Sequence, residues 1–571
     1  MKMLLKGGSV VNVFTGEIET ANVLVEDETI IGIGDYTEQD ADVCEDAHGC
    51  WLCPGLIDGH IHIESTMLLP AEFAKVCVPH GTTTVVADPH EIANVCGQLG
   101  IRYMLEASEG LPLTMYFVLP SCVPATKFDE SGARLGAAEL REFYAHPRVL
   151  GLGEVMDYMG VVHRDEALME KIRYAKEADS VINGHAPMLH GKPLDAYLAA
   201  GIGDDHECAT LSEAQERIRK GQRIMIRQGT AARNLEALLP LFDEKWAHRC
   251  LLVTDDKHPA DLLRHGHIDN IIRMAAAAGK NPVTGIRMAT LWAAEYFGLR
   301  GRGAVAPGYR ADILVLEDLN TMRIRTVYCG GKKAAEQNRM LPFTMPRVRR
   351  DLQKAVRNSF YTPVFLEQDF QIEPKGSAAC RVIETVKGQL ITHAKTMEID
   401  FAHHNGIDLA RDILKIAVLE RHLNTGHKGL GFIRGIGLKS GAIASSVSHD
   451  SHNIIVIGEN EKDMAFAANW VRREGGCVVV RDETVIAKMP LPVAGLMSDL
   501  TAEEVAAQNE ALREGVLQLG AAPDVEAFMT MAFVSLPVIP HLKITTLGLI
   551  DVDRQQPVSL FADGENEEKT R

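Results

Sequence analysis

The spacing with the clearest chemical meaning in this chain is His60-Ile61-His62. It closes an apolar run, Pro54-Gly55-Leu56-Ile57-Asp58-Gly59, that reads as a β-strand. In a strand, residues i and i+2 point to the same face. The two imidazoles therefore project together, and such a pair can hold one metal ion. An ordinary strand with two structural histidines has the same spacing, so the pair needs company. Further apolar runs supply it: Thr82–Asp88, Leu113–Leu119, Val149–Glu154, Ser180–His185, Gly201–His206, Arg223–Arg227 and Cys250–Asp255. Nearly all of them end in a polar or ionisable residue. A buried strand has no packing reason to do so repeatedly, whereas barrel enzymes gather their chemistry at the C-terminal ends of parallel strands.

The elements that must position these residues follow from the texture between them. Helical periodicity separates several of the runs, for example over Asp165–Ala178 and Leu211–Lys220. Alternating strand and helix predicts a parallel sheet. Residues 51–300 are the length of a (β/α)8 barrel, which takes about 250 residues. On either side lie short apolar runs broken by turn residues. Ser9–Val13, Asn22–Val25 and Thr29–Gly34 come first, and Gly303–Leu316 and Val327–Lys332 come after. They predict one small β-sandwich domain assembled from residues 1–50 and 301–345. Residues 345–351 read as a linker. A C-terminal α/β domain is expected over 351–560, with a strand at Ile454–Gly458 and helices near 461–473 and 501–518. The charged tail, 561–571, is expected to be disordered.

Composition narrows the function classes. Of 571 residues, 46% are hydrophobic and 24% charged, as in a multidomain globular protein. The formal net charge of -18 argues against nucleic acid and acidic membrane surfaces as partners. The N-terminus lacks the apolar core of a signal peptide, and no run reaches the roughly 18 apolar residues of a membrane span. The 11 scattered cysteines fit reduced thiols, and the expected location is the cytoplasm. Cys50-Trp51-Leu52-Cys53 stands without the second pair that a zinc knuckle needs. His62-Ile63-Glu64 lacks the Pro-Cys-x-x-Cys of cytidine-type deaminases, and His90-Glu91 has Asn94 where His-Glu-x-x-His has its second histidine.

The stretch Pro54–His62 resembles the first-strand signature of the amidohydrolase superfamily, metal-dependent hydrolases on a distorted (β/α)8 TIM-type barrel. The resemblance implies a ligand order of His60, His62, Glu154, His185, His206 and Asp255, on strands one, four, five, six and eight. Many members use a carboxylated lysine on strand four. Here Glu154 stands in that place, and a carboxylate needs no modification to span two cations. Longer stretches resemble the bacterial adenine deaminases: His60–Met67, Val86–Val95, Asn183–Pro187, Asp205–Cys208, Val253–His258, Ser446–Asn453 and Pro492–Ser498. That family implies hydrolysis of adenine to hypoxanthine and ammonia in purine salvage. It also implies two divalent ions, manganese or iron ahead of zinc, and a small-molecule partner on an expected homodimer.

In that reading a metal-bridging hydroxide attacks C6. Asp255 carries the proton, with Glu154 and His206 as the other catalytic groups. Asp256, next in sequence, should face the other way, although the sequence leaves the pair ambiguous. Glu91, Ser121, Arg227 and Gln228 are candidates for acid or purine contacts. The loop His449-Asp450-Ser451-His452-Asn453 is read as closing over substrate, as holding another metal, or as a solvated turn. Two alternatives stay open: another amidohydrolase activity, such as a cyclic-amide hydrolase or deacylase, and a non-enzymatic scaffold on the same fold.

Overall fold

Each apolar run between residues 55 and 255 becomes a strand, and the eight strands are parallel neighbours in sequence order. They are β1 (Leu56–Ile61), β2 (Thr82–Ala87), β3 (Thr114–Leu119), β4 (Val149–Val155), β5 (Val181–Gly184), β6 (Asp204–Asp205), β7 (Arg223–Arg227) and β8 (Cys250–Val253). The computed structural model describes residues 1–230, 232–372, 376–402 and 405–562. Strands β1–β5 form one hydrogen-bonded sheet and β6–β8 another. Single bonds close the two seams. The Gly203 amide donates to the Ile182 carbonyl at 2.9 Å between β6 and β5, and the Asp255 amide to the His60 carbonyl at 2.9 Å between β8 and β1. The result is a TIM-type barrel.

The local reasons are visible in the sequence. The run Thr82-Thr83-Thr84-Val85-Val86 is β-branched throughout and wholly buried, as a strand covered on both faces requires. Of the helices, α1 spans His90–Ala107, α2 Glu166–Glu177 and α3 Leu211–Arg219. Asp165 caps α2 by accepting from the Leu168 amide, and Thr210 caps α3 by accepting from the Glu213 amide. Strand β6 keeps only two residues, and Gly201 just before it turns the chain in the left-handed region at φ +101°.

Asp58 staples the seam between β8 and β1. Its Oδ1 accepts from the amides of His60 and Thr254, each at 3.2 Å, and its Oδ2 lies 3.1 Å from Nε2 of the buried His267. The Thr254 hydroxyl donates to the same carboxylate.

The two flanking β segments join in one nine-stranded sheet. Trp51–Pro54 pairs in parallel with Lys2–Val11 and antiparallel with Ile313–Asp318, so the halves meet edge to edge. The expected β-domain thus has its strands in one continuous hydrogen-bonded sheet. Its apolar side is closed by Leu5, Val23, Ile30, Leu52, Ile313 and Tyr328.

By compactness the chain divides into two units. The first comprises residues 1–89, 104–121 and 136–349, and the second residues 90–103, 122–135 and 350–571. The last two residues of the expected linker already belong to α4 (Arg350–Arg357). In the second unit the strands are β9 (Ser377–Thr385), β10 (Thr392–Asp400), β11 (Ile413–Leu419), β12 (Lys428–Arg434), β13 (Ala442–Ser445), β14 (Ile454–Gly458), β15 (Cys477–Arg481) and β16 (Thr484–Met489). They form one sheet in the order β10-β9-β12-β11-β14-β13-β15-β16.

Helix α5 (Glu461–Glu474) buries Met464, Ala467, Ala468 and Val471 against Ala444, Val456 and Val478 of that sheet. Helix α6 (Ala502–Gln518) starts at a capping box between Thr501 and Glu504. Phe561, at the start of the expected disordered tail, bridges Cys380; residues 563–571 lie outside the described residues. No helix among the described residues is long and apolar enough to cross a membrane.

Replacing Asp58 by alanine strands buried donors at the seam, each worth about 1–3 kcal/mol. We expect Asp58→Ala to lower the unfolding free energy by about 3 kcal/mol or more in urea titration. A loss below about 1 kcal/mol would show that the seam is held by other contacts.

Candidate metal centre

The C-terminal ends of β1, β4, β5, β6 and β8 bring His60, His62, Glu154, His185, His206 and Asp255 into one cluster, buried except for the half-buried His185. Glu154 is its centre. Its Oε1 lies 3.0 Å from His60 Nε2 and 2.7 Å from His62 Nε2. Its Oε2 lies 2.8 Å from His185 Nδ1 and 3.5 Å from His206 Nε2. Asp255 joins the first pair, with Oδ1 3.1 Å from His62 Nε2 and 3.7 Å from His60 Nε2. One carboxylate thus divides four imidazoles into two pairs, one per oxygen.

Local structure holds these side chains in place. The backbone carbonyl of Asp88 accepts from His62 Nδ1 at 3.0 Å, which leaves Nε2 as the lone-pair nitrogen facing Glu154. The Asp88 side chain accepts from the Glu154 amide at 3.1 Å. It reaches that amide only because residue 153 is glycine, where a Cβ would stand 2.1 Å from Asp88 Oδ2. The Tyr197 hydroxyl receives the His185 amide at 2.9 Å and donates to the Val155 carbonyl at 2.8 Å, tying the ends of β4 and β5. Asp255 sits in the left-handed region at φ +58°, an uncommon conformation that aspartate tolerates better than most residues.

Two charged residues complete the cluster. Glu207 Oε1 lies 3.4 Å from His206 Nε2 and 3.6 Å from His185 Nδ1. Arg227 Nη1 donates to Glu207 Oε1 at 2.5 Å and to Asp255 Oδ2 at 2.6 Å. The guanidinium thus forms an ion-pair bridge between two carboxylates. Glu207 itself was not among the residues read from the sequence as a site. Strand alternation points a residue next to a ligand away from it, and the two-residue β6 ends before Glu207, which frees it from that rule.

The electrostatics are those of a dry cluster of opposite charges. Burial pushes the Glu154 carboxyl up, but the imidazoles of His206, His62 and His60 outweigh it and hold it well below the usual carboxylate range. Burial likewise opposes ionisation of Asp255, and Arg227, His60 and His62 reverse it. His60 and His185 are pushed down by burial and up by their carboxylate neighbours, to about 9 each. These shifts record how strongly the carboxylates attract positive charge. His60 Nε2 and Glu154 Oε1 are buried, and neither finds a hydrogen-bond partner among the described residues. Imidazole nitrogens and carboxylate oxygens converging without such pairing are the donor set of divalent metal ions.

The remaining candidates fall into two groups. Asp256 Oδ1 accepts from the Ser65 hydroxyl at 2.5 Å. One of its oxygens also lies within 4.8 Å of ligand atoms of His62 and Asp255. It does not simply face away as alternation predicts, because the left-handed Asp255 breaks the strand geometry between them. The Ser121 hydroxyl donates to the Glu154 carbonyl and so bears on the backbone of β4. The Gln228 amide donates to the Val253 carbonyl at 3.1 Å, a backbone role between β7 and β8. Glu91, His449, Asp450, His452 and Asn453 belong to the second unit. There Glu91 meets both His449 and His452. Asp450 lies 4.0 Å from His90, and the Asn453 amide donates to the Glu130 carbonyl at 2.7 Å.

Comparison with known proteins agrees with this arrangement. Residues 51–334 match the amidohydrolase family, and residues 389–556 match the adenine deaminase C-terminal domain. Adenine deaminase 2 of Carboxydothermus hydrogenoformans is 48% identical over 98% of this chain and 97% of its own length. The adenine deaminase of Desulfatibacillum aliphaticivorans is 45% identical over the same shares. That of Geobacillus kaustophilus is 42% identical over 98% of this chain and 96% of its own. This chain belongs to the adenine deaminase family of amidohydrolases.

Proposed function

We propose that this protein hydrolyses adenine to hypoxanthine and ammonia with two divalent metal ions held at the barrel's strand ends. The observation that carries the reading is the division of four imidazoles between the two oxygens of Glu154. Near-full-length relatives named adenine deaminases support adenine as the substrate. His60, His62, Asp255 and Glu154 Oε1 would hold one ion; His185, His206 and Glu154 Oε2 would hold the other. The donor set accommodates manganese, iron and zinc, and we favour manganese or iron. When bound, the ions act as Lewis acids and make water nucleophilic near neutral pH.

The chain's own residues have separate tasks. Asp255 accepts the proton of the attacking water as the C6–O bond forms, passes it to the ring nitrogen beside C6, and then takes up the second proton from the new C6 hydroxyl. Asp255 then returns a proton to the departing amine as the C6–N bond breaks, which releases ammonia and leaves hypoxanthine. Arg227 fixes Asp255 through Oδ2, which leaves Oδ1 towards His60 and His62. Burial of the cluster keeps bulk water from screening these charges.

The direct test is ammonia release by manganese-loaded protein from adenine, set against other purines, hydantoin and dihydroorotate. Turnover of adenine alone or foremost is expected, and turnover of the cyclic amides without adenine would overturn the assignment. Glu154→Gln removes a charge between the two ions, so metal affinity should fall by at least about 10–100-fold on equilibrium dialysis. Full occupancy with normal activity would exclude a bridging role. Asp255→Asn keeps one oxygen for a metal but cannot shuttle a proton, so kcat should drop by about 10²–10⁴-fold with the fold intact by circular dichroism. If Asp256→Asn has that effect and Asp255→Asn has none, the two roles are exchanged.

A further inference from the structure

We propose that Glu91, His449 and His452 form a further metal-binding site that takes one divalent transition-metal ion. All three residues belong to the second unit and are buried. Glu91 Oε1 lies 2.5 Å from His449 Nδ1, and Glu91 Oε2 meets His452 Nε2. One ligand atom from each lies within 4.8 Å of the others. Two imidazoles and one carboxylate are a three-ligand set that leaves a fourth position open, the pattern of catalytic rather than closed structural zinc sites.

The surroundings are built to hold these side chains. His449 and His452 sit on the loop between β13 and β14, whose ends are fixed by the central sheet. The His449 ring stacks on Phe533 with centroids 4.5 Å apart, and its backbone amide donates to the Ala532 carbonyl at 2.8 Å. The Ser448 hydroxyl is 2.6 Å from that of Ser535, which anchors the loop from a third element. His452 adopts φ +53°, an uncommon conformation for a non-glycine residue that surrounding structure must enforce. A positive φ at a ligand residue also occurs at Asp255.

Charge points to a cation as well. Asp450, 4.0 Å from His90 Nε2, is a second buried carboxylate beside the cluster, and His90 lies 3.6 Å from Glu91. A buried carboxylate is tolerable only beside positive charge or donors, and a divalent ion on Glu91 would supply that charge. Binding exchanges the present imidazole–carboxylate bonds for coordination. The Ser448 amide is 3.3 Å from His452 Nδ1, so binding at Nε2, which moves the ring proton to Nδ1, also lengthens that contact.

The proposal does not rest on the assignment of the barrel site, and its test reads the two apart. Full-length protein is stripped of metal, titrated with zinc alone, and its bound zinc counted by elemental analysis. Glu91→Gln and His452→Gln should each bind one equivalent per chain fewer than the wild type. Retention of that equivalent in either variant overturns the proposal. Should the variants fail to fold, anomalous diffraction at the zinc edge from wild-type crystals decides. A peak about 2 Å from His449 Nδ1 and His452 Nε2 is expected. A map without that peak overturns the site, whatever the barrel holds.

Discussion

A single buried carboxylate shared by four imidazoles is the constraint on which the first unit depends. Glu154 is buried at the end of β4, with two imidazoles on each of its oxygens. A buried carboxylate is tolerable only when opposite charge or hydrogen-bond donors surround it. The barrel supplies them from three other strand ends, β1, β5 and β6, so each of those strands has to stop at the right height. The precision is set below the site: Asp58 fixes β1 against β8, Asp88 fixes the amide of Glu154, and Tyr197 fixes β5 against β4.

The same logic explains the ion-pair bridge. Glu207 and Asp255 come from different strand ends and would repel each other in a site of low dielectric. Arg227 lies between them and binds both through one nitrogen. A guanidinium suits this task because it stays charged and presents several donors in one plane. A lysine at that position could reach both carboxylates only as a point charge, without the fixed geometry. Asp255 is thereby oriented before any ligand arrives, which is what pre-organisation means at the level of one side chain.

Much of this was legible in the sequence, for reasons that can be named. His60 and His62 declared themselves through strand alternation, and Glu154, His185, His206 and Asp255 through their positions at the ends of apolar runs. The capped helices from Glu166, Leu211, Glu461 and Ala502 follow periodicity that local residues dictate. What stayed hidden depends on contacts between residues far apart. The bridge made by Arg227 was hidden because a sequence cannot say which carboxylates an arginine meets. Glu91 sits 358 positions from His449 along the chain, so nothing near it announced its partners. That the two flanking segments form one β-domain was read from their texture, but the pairing of Trp51–Pro54 with Ile313–Asp318 that joins them is a fact of tertiary structure.

The makeup of the second unit bears on how the protein is made. Two of its pieces, residues 90–103 and 122–135, leave the ribosome early, and the rest begins only at residue 350. Strands β1–β3 emerge before or between those pieces and β4–β8 within the intervening stretch, so all eight can pair as they appear. The two early pieces have to wait through synthesis of more than 200 residues before the sheet that completes their unit exists. Contacts of such long sequence separation form late and slowly. Translation therefore imposes a timetable in which the barrel's strands come first and the residues around Glu91 last. A nascent chain stalled before residue 350 would carry those two pieces exposed, available to a chaperone or to a wrong partner.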